Sequence, residues 1–476
     1  MSSNIEQPLR VPSDTVIPLH TLDDASFYKR MVTSLTFQFN DILDAEKMGA
    51  SLAQLISLEG WTKLGARIRK NDQGGFEYHV PEHFTPERPA IAFSSAAYQT
   101  SIHDDPVGSK FPMQQHDPAL VRVNELIPGL KKLIFRPHAP FKIEEYLARD
   151  EPQISLHVVT FTDATLFTIS YLHSLMDGLG AEALLRGWTA VLDGREQDVP
   201  RMIGYDKDPI KPLIGKTPGE RNVQYNRYHS NPWVPTSIKM LDTTYTWLRI
   251  PDSILATLRD QAMQELRQLN PSGKEFVSRG DIFVAWLVKA LVRTQSIPPS
   301  MNILIISAVN LRAVLSEVFP PDSAFVSNCV GGVHTYVAAK ELLESSLATT
   351  ALRLRQELNR QSTRENVEST LTLIAEKKTV DMNALPLTMS DCGKARFCEF
   401  DFSKAIKTPL EERASRRGRP AYLWGGVDFS PVAFPNMCVN WGTDAEDNWS
   451  TVLYVPSASL DALEKEVEGL KRYMPN

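Results

Sequence analysis

The run from 154 to 192, ISLHVVTFTDATLFTISYLHSLMDGLGAEALLRGWTAVL, restricts the fold more than any other part of the chain. HVVTFT and TLFTISYLH are rich in β-branched and aromatic residues, and Asp163-Ala164 between them makes a tight turn, so the pair predicts two adjacent strands. In the second strand Phe167, Ile169, Tyr171 and His173 share one face by the two-residue period. The chain breaks at Met176-Asp177-Gly178. Leu184, Trp188, Val191 and Leu192 then recur on one helical face. A histidine is thereby delivered to a strand end, just before a loop and a helix.

The same signals extend along the chain. RIRKNDQGGFEYHV, 67–80, predicts a hairpin about a turn-rich Asn71–Gly75. SFYKRMVTSLTFQF, 26–39, predicts a helix with Asp23, Asp24 or Ser26 near its start. TYTWLRI predicts a strand and SILATLRDQAMQELRQL a helix. Ser278 and Asp281 form an S-x-x-D start signal for the helix IFVAWLVKALVRT. MNILIISAV has the continuous apolar character of a buried strand and ends at Asn310-Leu311-Arg312. ARFCEFDF and TVLYV predict further strands, and Leu460, Leu463, Val467 and Leu470 stripe a final helix. Between 201 and 240 the pattern gives way to Pro, Gly and charge, as in IGYDKDPIKPLIGKTPGERNVQYN. Such a stretch suits a crossover between an N-terminal lobe, 1–200, and a C-terminal lobe, 241–476.

The chain has 476 residues, 42% of them hydrophobic and 23% charged, with a formal net charge of −6. That balance supports large cores and lacks the basic stripe of a nucleic-acid binder. Cys329, Cys392, Cys398 and Cys438 form no CxxC and are expected to be reduced thiols. MSSNIEQPLR lacks the apolar core of a secretory signal, and IFVAWLVKALV is too short to span a bilayer and is interrupted by Lys289. A cytoplasmic protein without membrane contact is expected.

His173-Ser174-Leu175-Met176-Asp177-Gly178 is the first candidate for chemistry. Histidine titrates near neutral pH and can take a proton from an attacking hydroxyl. A lone histidine more often only packs, but the strand end and the Asp-Gly turn favour function. Gly178 would permit the backbone angles of a sharp turn. The glycines of Gly178–Ala183 imitate a dinucleotide fingerprint, yet too many residues separate them from the strand. No GxSxG, GxxxxGK[ST] or HExxH occurs, and no cluster has metal-ligand spacing. His103-Asp104-Asp105 and His116-Asp117 read as solvated loops. Arg312 at a strand end and Asp401 among Phe400 and Phe402 each call for a charged or hydrogen-bonding partner.

Taken together, these segments resemble the BAHD acyltransferases, particularly the fungal branch that acylates secondary metabolites. HSLMDG matches HxxxDG. LEGWTKLGARIRKNDQGGFEYHVP, SRGDIFVAWLVKAL, AVNLR, FVSNCVGG and DAEDNWSTVLYVP each resemble a family segment in the expected order. The resemblance covers nearly the whole chain. It implies an α/β (mixed α+β) fold of two similar chloramphenicol-acetyltransferase-like lobes, each a mixed sheet flanked by helices, with a channel between them. It also implies His173 as general base and Asp177 turned away from substrate to pair with Arg312. Ser327, Asn328, Ser390 and Asp391 would be candidate acyl-CoA or oxyanion contacts, and Asp401 a structural residue held from within the second lobe. Acyl-CoA, acetyl-CoA above all, would be co-substrate rather than bound cofactor, and a small hydrophobic molecule the acceptor. No metal is implied, and the family usually works as a monomer.

The pattern departs from the family at Asp401-Phe402-Ser403-Lys404-Ala405, where DFGWG is usual, and at Ser390-Asp391, where Ser-Trp is common. Leu172 before the base argues against a peptide-synthetase condensation domain. Three other readings stay open: a relative repurposed for intramolecular condensation, a binding protein without turnover, and, more remotely, a dehydrogenase.

Overall fold

The computed structural model describes residues 6–25, 27–110, 117–123, 127–217, 242–376, 384–408, 416–428 and 436–474. The two expected strands form as Ser155–Thr160 and Thr165–Leu172 and pair antiparallel. They sit inside a five-stranded sheet ordered 422–428, 32–39, 165–172, 155–160, 92–97, in which only the last pair is parallel. The helices Ala45–Ile56 and Gly178–Leu192 cover one face and share its apolar core. The hairpin expected at 67–80 forms as Arg67–Lys70 against Phe76–Val80.

The second lobe holds a seven-stranded mixed sheet ordered 330–338, 302–310, 385–391, 437–443, 448–456, 243–251, 119–122. Helices Asp252–Leu269, Arg279–Thr294, Leu347–Gln361 and Leu460–Glu468 pack with it in a second core. The expected capping box is present. Ser278 Oγ accepts the Asp281 N–H, and Asp281 Oδ2 accepts the Ser278 N–H at 2.7 Å, satisfying two of the donors a helix start leaves open.

Two local expectations are overturned. The segment 26–39 is a short 3-10 turn, Tyr28–Arg30, followed by the strand Val32–Phe39. Leu35, Phe37 and Phe39 alternate into the core, while Thr36 meets Thr168 of the next strand at 2.9 Å. The two-residue period and β-branched content outweigh the helical reading. ARFCEFDF is likewise no strand. Arg396 takes a left-handed conformation, φ 48°, and 3-10 turns follow at Phe397–Glu399 and Ser403–Ala405.

The sheets do not respect the division at 200 and 241. Tyr422–Asp428 is an edge strand of the first lobe's sheet, and Ala119–Arg122 is an edge strand of the second's. The described part of the expected crossover is packed structure. Arg201–Met202 pairs with Ser323–Ala324, and Ile210 and Leu213 join Leu371 in a small core. Residues 218–240 of the crossover lie outside the described residues, as do Ser26 and His116. Among the described residues, no helix is long and apolar enough to cross a membrane.

Candidate active site

His173 follows directly on the central strand Thr165–Leu172, and its backbone N–H donates to the Met31 carbonyl at 2.8 Å. The imidazole stacks on Tyr28, with ring centroids 4.5 Å apart and planes 12° from parallel. Its Nδ1 lies 3.0 Å from Asn328 Oδ1. Burial is the main influence on its titration and lowers the pKa. The ring's contact with the backbone of its own residue, the Asp177 charge and the Asn328 contact oppose that shift. The net effect favours the uncharged ring.

His173 lines a cavity where the two sheets meet. Tyr28, Tyr171 and Leu179 come from the first lobe; Val309, Val439 and Trp441 come from strands of the second. Mostly apolar walls around a few polar groups are the usual make-up of a small-molecule site.

Asp177 is buried and faces the loop rather than the histidine. Its Oδ1 caps the helix Gly178–Leu192 by accepting the Gly180 N–H at 2.8 Å. Both oxygens receive the Arg312 fork, at 2.9 and 3.0 Å, and Oδ2 also accepts the Cys329 N–H at 2.7 Å. Arg312 extends the brace to the carbonyls of Phe325 and Ser327, at 3.0 and 2.7 Å. The brace thus joins the loop after His173 to the segment 325–329 of the other lobe.

The remaining candidates divide. Ser390 and Asp391, at the end of the strand Leu385–Asp391, line the cavity with His173. Asp391 Oδ1 accepts from the Gly393 N–H and Asn440 Nδ2, both at 2.8 Å. Ser327 and Asn328 do not fit the expected role of acyl-CoA or oxyanion contacts. They are 0% and 1% exposed, and their side chains are already engaged, Ser327 by Lys63 at 2.5 Å and Asn328 by His173 and Asp23.

Gly178 also needs a different explanation. It is not among the residues with positive φ, so no special turn angle requires glycine. A Cβ there would instead sit 2.6 Å from Cys392 Sγ, so any larger residue would force the Cys392 side chain to move, and the close approach favours glycine.

Asp401 is exposed, and its Oδ1 accepts the Ser403 N–H at 2.8 Å. A solvated carboxylate requires no counter-charge, which removes the expected hold from the second lobe. Phe402 is the anchor of this segment. It is fully buried against Phe39, Phe167 and Trp188 of the first lobe, with ring centroids 5.0–5.6 Å away.

Sequence reasoning missed Tyr28, Asp23 and Lys63 at this site. Tyr28 falls within the segment whose sequence predicts a helix. Asp23 enters the sequence reading only as a helix-start candidate and Lys63 only within a family-like segment; their site role shows in their being 0% and 2% exposed. Among the described residues, no cluster of three His, Cys, Asp or Glu is arranged to hold a metal ion.

The chain is similar to known proteins. The model of the "Transferase family" matches residues 108–470. The acetyltransferase adrJ of Penicillium rubens is 33% identical over 98% of this chain and 98% of its own length. A protein of Penicillium decumbens named transcriptional regulator calD is 32% identical over 99% and 98%. The crystal structure of Fusarium graminearum TRI101 with coenzyme A and deoxynivalenol superposes with a TM-score of 0.70 at 16% identity, covering 96% of this chain and 99% of that one; at such identity the likeness speaks for the fold. With a family model spanning most of its length and relatives a third identical from end to end, the chain belongs to the Transferase family and is a BAHD-type acyltransferase akin to those of fungi.

Proposed function

We propose that this protein moves an acetyl group from acetyl-CoA to a hydroxyl of a small apolar secondary metabolite, with His173 as general base. The observation that carries the reading is a half-buried imidazole at the end of a central strand, lining a mostly apolar cavity, with burial lowering its pKa. The acetyl donor and metabolite acceptor are taken from relatives such as adrJ, which is named an acetyltransferase. A net charge of −6 without a basic stripe argues against direct nucleic-acid binding in a regulatory role such as calD's name states.

In this reading Nε2 of His173 removes the acceptor's hydroxyl proton as the oxygen attacks the thioester carbonyl. The tetrahedral intermediate collapses with cleavage of the C–S bond, and the imidazolium returns its proton to the departing thiolate. Ser390 lines the cavity and carries a hydroxyl able to donate to the oxyanion. The Asp391 carboxylate can only accept, so it is excluded from that task. Asp177 and Arg312 also line the cavity, and their ion pair keeps the loop after His173 in place.

The test is thiol release from acetyl-CoA in the presence of hydroxylated apolar acceptors. His173→Ala should lower turnover about a hundredfold or more, the scale of a lost general base. A folded variant with near-normal turnover would remove His173 from the mechanism.

A further inference from the structure

We propose that Asp23 is a positioning residue which, acting through Asn328, keeps the imidazole hydrogen of His173 on Nδ1 and so leaves Nε2 as the free base. The inference rests on the reading of His173 as the general base. Its ground is a chain of hydrogen bonds whose directions are mutually forced.

Asn328 Nδ2 lies 2.8 Å from Asp23 Oδ1 and 2.7 Å from the His173 carbonyl oxygen. Both partners can only accept, so the amide nitrogen must face them. Asn328 Oδ1 is then the atom facing His173 Nδ1 at 3.0 Å, and only a protonated Nδ1 can donate to it. Turning the amide over would set oxygen against a carboxylate and a carbonyl. It would also place an N–H against Nδ1, which moves the ring hydrogen to Nε2 and abolishes the base.

Asp23 is itself held. Its Oδ1 also accepts the Asn328 backbone N–H at 2.7 Å, while Oδ2 faces Lys63 Nζ at 3.7 Å and His20 Nδ1 at 3.9 Å. Lys63 bonds Ser327 and lies over the Tyr78 ring, and Tyr78 OH donates to the carbonyl of Ser174, next to the base. Asp23, Asn328 and Lys63 are at most 2% exposed, so water is poorly placed to offer other partners. Asp177 cannot set the tautomer, since its oxygens are occupied by Arg312 and the N–H groups of Gly180 and Cys329. Burial raises the Asp23 carboxyl to about 6, against the pull of Lys63 and of the Asn328 bonds.

The experiment labels histidine with 15N and reads the His173 ring nitrogens by NMR, beside kcat and KM for acetyl-CoA. The wild type should show Nδ1 protonated and Nε2 bare. Asp23→Asn is nearly isosteric, but its amide can donate, which frees Asn328 to turn. It should give mixed tautomers and a kcat lower by about tenfold or more, with KM within about twofold. Asp23→Asn/Asn328→Ala should match Asn328→Ala alone within about twofold, because the two residues act in series.

If Asp23→Asn leaves Lys63 stranded and the protein poorly folded, Asp23→Asn/Lys63→Met removes both charges and is read in the same way. An unchanged tautomer in the Asp23 variant, whatever happens to kcat, overturns the proposal. Losses that multiply in the double variant overturn it as well. His173→Ala, measured alongside, tests the base assignment separately. Activity retained there sinks that assignment, whereas the tautomer of the wild-type ring stands or falls on its own spectrum.

Discussion

At the scale of single residues, two aspartates have separate duties around one histidine. Asp177 is the motif residue visible in HSLMDG, yet its oxygens serve a helix cap, an arginine and a backbone amide. Asp23 lies 305 positions from Asn328, which it contacts. The environment of His173 makes a pH prediction with a definite sign. Burial lowers its pKa from the ordinary 6.5, so the basic form persists into mildly acidic solution. Acyl transfer measured as kcat/KM should be flat through neutral pH and fall as pH drops, with a half-point below 6.5. A half-point above that value would mean that the imidazolium, not the imidazole, is favoured in the site.

At the scale of elements, one carboxylate closes the strand–loop–helix unit 165–192. Asp177 ends the loop, starts the helix Gly178–Leu192 and reaches across to Arg312, on a short helix after the strand Asn302–Asn310. Asp177→Asn would leave a mostly buried guanidinium without its charge partner, a loss of about 3–5 kcal/mol for a fully buried pair. The carbonyls of Phe325 and Ser327 would still hold Arg312, which places the expected effect toward the lower end. Denaturant unfolding should show that loss together with reduced turnover. Unchanged stability would show that the pair contributes nothing net.

At the scale of the whole molecule, the lobes exchange strands. Tyr422–Asp428 completes the first sheet beside Val32–Phe39, a strand buried along its entire length. Phe402, Trp424 and Trp441 sit in the same core as Phe37 and Phe167. Each large side chain so buried contributes about 1.5–3 kcal/mol. A fragment ending at 200 should lack all three and expose strand 32–39 as an open, apolar edge, which invites association. We expect it to aggregate or to melt without a cooperative transition, as followed by light scattering and calorimetry. A monomeric fragment with a sharp transition would show that the first lobe folds alone.

Much of this protein could be read from residue order. The strand pair 155–172, the helix after Asp177, the hairpin at 67–80 and the Ser278–Asp281 capping box all arise from spacings of two to four residues or from a turn between neighbours, and such spacings are written in the chain itself. Family-like segments in their expected order located His173, Asp177 and Arg312 in the same way. Residue order misled where a neighbourhood was ambiguous. The run 26–39 carries helix-compatible residues but alternates at 35, 37 and 39, and its pairing with 165–172 and 422–428 decided for a strand. The support beneath His173, the anchoring by Phe402 rather than Asp401, and the need for glycine at 178 depended on folding. Each comes from atoms brought together across tens to hundreds of residues, and burial alone makes their charge, hydrogen-bond direction or want of space count.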